Sequence, residues 1–67
     1  MYTIIYSENY FNGKPAKRYT IENLTIEKVR KVVSFLKEPL DGVLVKFVVY
    51  DMMTNKIYAI GDNRNGG

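Results

Sequence analysis

The sequence predicts an α+β domain with the element order strand, strand, helix, strand, strand. Three observations carry this. Asn12-Gly13 is a hairpin turn signal between two segments that can pair. Residues 25–38 place apolar side chains at helical spacing and stop before Pro39. Residues 43–61 hold two runs of high β propensity separated by Met52-Met53-Thr54-Asn55. Two hairpins joined by one helix make a four-stranded sheet, mixed or antiparallel, with the helix packed on one face. The expected globular domain spans residues 1–61, and Asp62-Asn63-Arg64-Asn65-Gly66-Gly67 reads as a flexible polar tail.

The first hairpin has a checkable register. A two-residue type I′ turn at Asn12-Gly13 needs positive φ at both residues and pairs Phe11 with Lys14. Glu8 then faces Lys17, Tyr6 faces Tyr19 and Ile4 faces Ile21, all on one side of the sheet. One charge pair, one aromatic pair and one aliphatic pair in a single register support it. The other side receives Thr3/Glu22, Ile5/Thr20 and Ser7/Arg18. Pro15 lacks an N–H for the ladder, so the second strand reads as an edge.

The helix follows. Thr25 is the expected N-cap, and Leu24 and Val29 have the spacing of a hydrophobic staple. Ile26, Val29, Val32, Val33 and Leu36 form one apolar stripe, with Lys28, Lys31, Ser34 and Glu38 facing away. Pro39 stops the helix and Asp41-Gly42 turns the chain.

In the second hairpin, Val43–Asp51 pairs with Lys56–Gly61. A four-residue loop sets Asp51 against Lys56, Phe47 beside Ile60 and Val49 beside Tyr58. Asn55 is the residue expected to take positive φ. Val43, Val45, Phe47, Val49, Tyr58 and Ile60 form the face toward the helix. A right-handed crossover makes the first and last strands parallel neighbours at the centre.

Composition excludes several functions. The 67 residues hold no Cys and no His, which removes a disulfide framework, thiolate chemistry and the commonest general base. No paired carboxylates, nucleophile–base set or phosphate-binding loop can be assembled, so an enzyme, a bound metal, a cofactor and a small-molecule substrate are not expected. The longest apolar run, Phe47-Val48-Val49-Tyr50, is far short of the roughly 18 to 20 residues of a membrane span. Met1–Tyr6 lacks a basic n-region and a cleavage site, so the expected location is cytoplasmic.

The order and loop lengths resemble the β-grasp, in the minimal form of the immunoglobulin-binding domains of bacterial protein G. The local echoes are Asn12-Gly13-Lys14 and Tyr50-Asp51-Met52-Met53-Thr54-Asn55-Lys56. Gly13-Lys14, Thr20-Ile21-Glu22 and Thr25-Ile26-Glu27-Lys28-Val29 are also similar to the start of ubiquitin-like domains. The resemblance implies a fold, since one fold hosts many functions. It also gives the terminal Gly66-Gly67 a meaning: ubiquitin-like modifiers and sulfur carriers end in this dipeptide, whose lack of side chains lets a carboxylate enter an adenylating site.

Two other features suggest a function. One helix can cover only one side of four strands. The uncovered side is expected to present Ile5, Leu44, Val48, Tyr50, Ile57 and Ala59, a surface for a protein partner or for self-association. Tyr50 would anchor it. The basic residues Lys14, Lys17, Arg18, Lys28 and Lys31, interleaved with Tyr10, Phe11 and Tyr19, offer a nucleic-acid-binding alternative, although the formal charge is only +3. The first expectation is non-covalent docking to, or inhibition of, a larger protein, through this open face or by strand addition at an exposed edge, a habit of many small phage and mobile-element proteins. The alternatives are a nucleic-acid-binding module and a glycine-tailed carrier.

Overall fold

The computed structural model describes residues 1–64. Its elements are β1 (Tyr2–Tyr10), β2 (Lys17–Leu24), α1 (Ile26–Leu36), β3 (Val43–Asp51) and β4 (Lys56–Asp62). The α+β class and the ββαββ order follow the sequence expectation. The strands form one antiparallel sheet in the order β2-β1-β3-β4.

The centre of the sheet differs from expectation. β1 pairs with β3, antiparallel and without interruption from Tyr2↔Asp51 to Tyr10↔Val43. The parallel pairing of first and last strands does not occur. Consequently β2 and β3 run in the same direction on either side of β1, and α1 is the crossover between them. The choice of β3 has a physical basis. It carries apolar side chains on both faces, Val43, Val45, Phe47 and Val49 on one and Leu44, Val48 and Tyr50 on the other. Such a strand gains most from a central position. The β-grasp resemblance extends to the order of elements along the chain and not to this pairing.

The core lies between α1 and the sheet. Ile4 and Val49 are direct cross-strand partners and both are fully buried. Leu24, Val29, Leu36, Val45 and Phe47 complete the buried set. The helix contributes it as the periodicity predicts: Val29 and Leu36 are buried, and Ile26, Val32 and Val33 pack at the margin. Thr25 caps it, its hydroxyl accepting from the Lys28 N–H at 3.4 Å.

The first hairpin keeps the predicted register in its body: Glu8↔Lys17, Tyr6↔Tyr19 and Ile4↔Ile21. Its turn is wider than a type I′ turn. Asn12 does not take positive φ; only Gly13 does, at 85°. The Asn12 Oδ1 instead accepts from the Lys14 N–H at 3.1 Å, and Phe11 donates its N–H to Gly42 at 3.2 Å. Pairing of Phe11 with Lys14 is thereby lost. Tyr6 and Tyr19 stack at 4.9 Å, with Tyr19 exposed on the edge strand β2.

Each edge strand carries a register shift. In β2 the shift lies between the Ile4 and Tyr2 pairings, where Asn23 has φ 58°. It pairs Leu24 with Tyr2 instead of Met1 and brings Leu24 beneath the helix. In β4 an extra residue, Tyr58, lies between the Tyr50↔Ile57 and Val49↔Ala59 pairs. Beyond it Phe47 faces Gly61 and Val48 faces Ile60. Asn55 takes the expected positive φ, at 57°.

The expected boundary at residue 61 also moves. β4 includes Asp62, and Asn63 is buried and bonded to β3, so the folded unit extends past the predicted start of the tail. Among the described residues, no helix is long and apolar enough to cross a membrane.

Candidate docking face

The side of the sheet away from α1 is built from cross-strand rows, because paired residues project to the same face. One row runs Arg18, Ser7, Lys46, Asp62 across all four strands. The next runs Thr20, Ile5, Val48, Ile60. A third holds Thr3, Tyr50 and Ile57. An apolar surface of Ile5, Val48, Tyr50, Ile57 and Ile60 therefore borders a row with two cations.

Its inner members are half-buried by one another, whereas Ile57 and Ile60 at the margin are 54% and 69% exposed. Thr3 is nearly buried opposite Tyr50. Ile5, Ser7, Arg18, Lys46, Val48 and Tyr50 line one shallow depression. Apolar and cationic side chains thus line the same depression.

The charges of the Arg18, Ser7, Lys46, Asp62 row do not cancel. Arg64 donates from its guanidinium to Asp62 at 2.8 and 3.1 Å, and its backbone N–H donates to the same carboxylate at 2.9 Å. These bonds, with a smaller contribution from Lys46, hold the Asp62 carboxyl below its ordinary range. Asp62 is therefore engaged by Arg64, and Arg18 and Lys46 leave the rim positive.

Of the six residues predicted for the uncovered side, four, Ile5, Val48, Tyr50 and Ile57, fall on this surface. Leu44 is on the same face but lies beyond Lys46, beside Asn9, whose amide donates to the Leu44 carbonyl. Ala59 is not on it; it pairs with Val49 on the helix side. Ile60 takes its place, the reverse of the predicted register. The β4 bulge causes both exchanges. A trace of it is present in the sequence: Ala59 and Gly61 are small residues at alternate positions, suited to face the large Val49 and Phe47.

The predicted basic set is divided by the sheet. Arg18 is on the open face, while Lys17 pairs with Glu8 on the other side. Lys28 and Lys31 are exposed on α1. Lys14 and Lys17 share a hollow with Tyr10 beside the first hairpin loop. These lysines do not converge on one groove with Arg18; Lys46, absent from the predicted set, does. Gly66 and Gly67 lie outside the described residues. Among the described residues there is no group of three or more Asp or Glu side chains placed to hold a metal ion.

No family model matches the chain. No curated protein matches it. No solved structure matches it either.

Proposed function

We propose that this chain is a small, non-enzymatic binding module that docks non-covalently onto a larger protein through its open sheet face. The observation that carries the reading is the row structure of that face: Ile5, Val48, Tyr50, Ile57 and Ile60 side by side, next to Arg18 and Lys46. An apolar centre supplies the area whose removal from water drives association. Tyr50 adds a large, amphipathic anchor at low entropic cost. The cations select a partner with an apolar centre and an acidic rim, and they steer its approach. Occlusion of a site on that partner is the simplest effect a module of this size can have.

A photo-crosslinking residue at Val48 tests this, with the same residue at the exposed helix position Arg30 as control. The expected result is one adduct protein from position 48 and none from position 30. The purified adduct protein should then bind the wild-type chain and lose at least tenfold affinity for Tyr50→Asp and for the more exposed Ile57→Asp, with thermal unfolding of each variant intact. Equal labelling from both positions, or unchanged binding by both variants, overturns the reading.

One observation favours a second reading. Arg18 and Lys46 beside Tyr50 combine cations with a ring, the elements that hold single-stranded nucleic acid. Binding of an oligonucleotide that weakens steeply with salt and fails in Lys46→Glu would select it. No binding at about 50 mM salt excludes it.

A further inference from the structure

The two edges of the sheet are unlike each other. β2 carries Lys17, Arg18 and Glu22 and follows Pro15, devices that discourage pairing with another strand. β4 has no Pro, and no charge lies between Lys56 and Asp62 at its ends; the bulge at Tyr58 is its one irregularity. Its interior is Ile57, Tyr58, Ala59, Ile60 and Gly61, with Ile57, Tyr58 and Ile60 each more than half exposed. An edge of this kind presents unpaired backbone groups alongside apolar side chains, a template for a further strand.

We propose that the occupant is a second copy of this chain, added β4 to β4 in antiparallel orientation. Two observations select a copy over a foreign strand. The first is charge. Antiparallel pairing brings the Lys56 end of each strand to the Asp62 end of the other, whereas parallel pairing would set like charges together. Asp62 retains acceptor capacity beyond its bonds to Arg64.

The second is the pattern made by the bulge. Tyr58 packs edge-on against Tyr2 on the helix side, at 5.1 Å between ring centres, and Ala59 faces Val49 on that same side. Ile57 and Ile60 lie on the open side, opposite Tyr50 and Val48. About its Tyr58–Ala59 midpoint the strand therefore reads open, covered, covered, open from either end. A two-fold pairing sets Ile57 of each copy against Ile60 of the other, and Tyr58 against Ala59. Because β2 is protected, the pairing uses the one receptive edge of each copy and closes at a dimer. The two four-stranded sheets become one, and the isoleucines of both copies join across the seam.

This inference rests on the backbone edge of β4; it shares Ile57 and Ile60 with the docking face but not Tyr50, Val48 or Ile5. Sedimentation equilibrium should give twice 7.8 kDa for the wild type and 7.8 kDa for Ile60→Lys, whose side chain is exposed and whose fold should survive. Tyr50→Asp should remain a dimer, which separates edge pairing from stacking of open faces. The chain contains no cysteine, so Tyr58→Cys should form a disulfide-linked dimer under mild oxidation, and Lys17→Cys on β2 should not. A wild type that stays monomeric at about 1 mM, where even weak complexes form, overturns the proposal. So does a dimer that survives Ile60→Lys, or one that dissociates in Tyr50→Asp.

Discussion

Asn63 closes one end of the sheet with a single residue. Its Oδ1 accepts from the Val45 N–H at 2.9 Å, its Nδ2 donates to the Val43 carbonyl at 3.1 Å, and its own N–H donates to the Val45 carbonyl at 3.0 Å. It is 3% exposed, so water cannot replace these bonds. Asn63→Ala leaves the Val45 N–H buried without a partner and is expected to cost about 1–3 kcal/mol, measured by urea unfolding. A cost below about 0.5 kcal/mol, the range of ordinary surface changes, would count against that role. Nothing in the polar run Asp62-Asn63-Arg64 marks Asn63 as buried, because its partners lie 18 and 20 residues back. Glu8 is a contrasting case. Its Oε1 accepts from the hydroxyls of Tyr10 at 2.9 Å and Tyr19 at 3.0 Å. These bonds raise both phenol pKa values above 10.0, since ionisation breaks the bond and sets a phenolate beside a carboxylate. A raised folded-state value means the pair favours the fold below pH 10 and loses that contribution as pH rises through the raised values. Glu8→Gln should let the two phenols ionise at lower pH in an ultraviolet titration; an unchanged curve would show that Glu8 does not set them. The Glu8/Lys17 and Tyr6/Tyr19 pairings were legible because a short hairpin ties partners together in sequence.

At the scale of elements, strand and helix types follow from periodicity, and the exceptions are the bulges. The Val43–Asp51 run alternates cleanly, with Val45, Phe47 and Val49 buried. Its partner β4 contains one residue more than a regular ladder allows. Gly61 shows the consequence. It faces Phe47, and a Cβ built on it would lie 2.6 Å from the Phe47 Cζ. Phe47 is 2% exposed, so the ring has little room to yield. Gly61→Ala is expected to cost about 1–3 kcal/mol through overpacking, more than the few tenths to 1 kcal/mol an alanine gains by restricting the unfolded chain. At about 4–8 °C per kcal/mol for a domain of this size, a melting curve should show the loss. A rise in Tm would mean that Phe47 rotates away. Propensity cannot place such a bulge, because adding one residue to a strand changes which side chains pack without changing the local preference for extended backbone.

As a whole the molecule is thin, with extents of 38 × 23 × 16 Å, two layers deep at most. Its helix of 11 residues packs against β1, β2 and β3. A chain of this length buries only about 60% of the surface it exposes when unfolded, and it places that burial on one side of the sheet. The sheet's open face and its β4 edge are both left apolar by that economy; Ile60 belongs to both, and Tyr50→Asp, which touches the face alone, tells them apart. The α+β class, the five elements, the helix stripe, the body of the first hairpin and the open face as the side bearing Ile5, Val48, Tyr50 and Ile57 are legible in the amino-acid sequence. These depend on period, capping and turn chemistry, which act within a few residues. Long-range packing sets the rest: β3 rather than β4 lies beside β1, Ile60 replaces Ala59 on the open face, Lys46 joins Arg18, and Asn63 is buried. Each of those outcomes is a choice between pairings of similar local quality, and it is settled by which arrangement buries more apolar surface across distant parts of the chain.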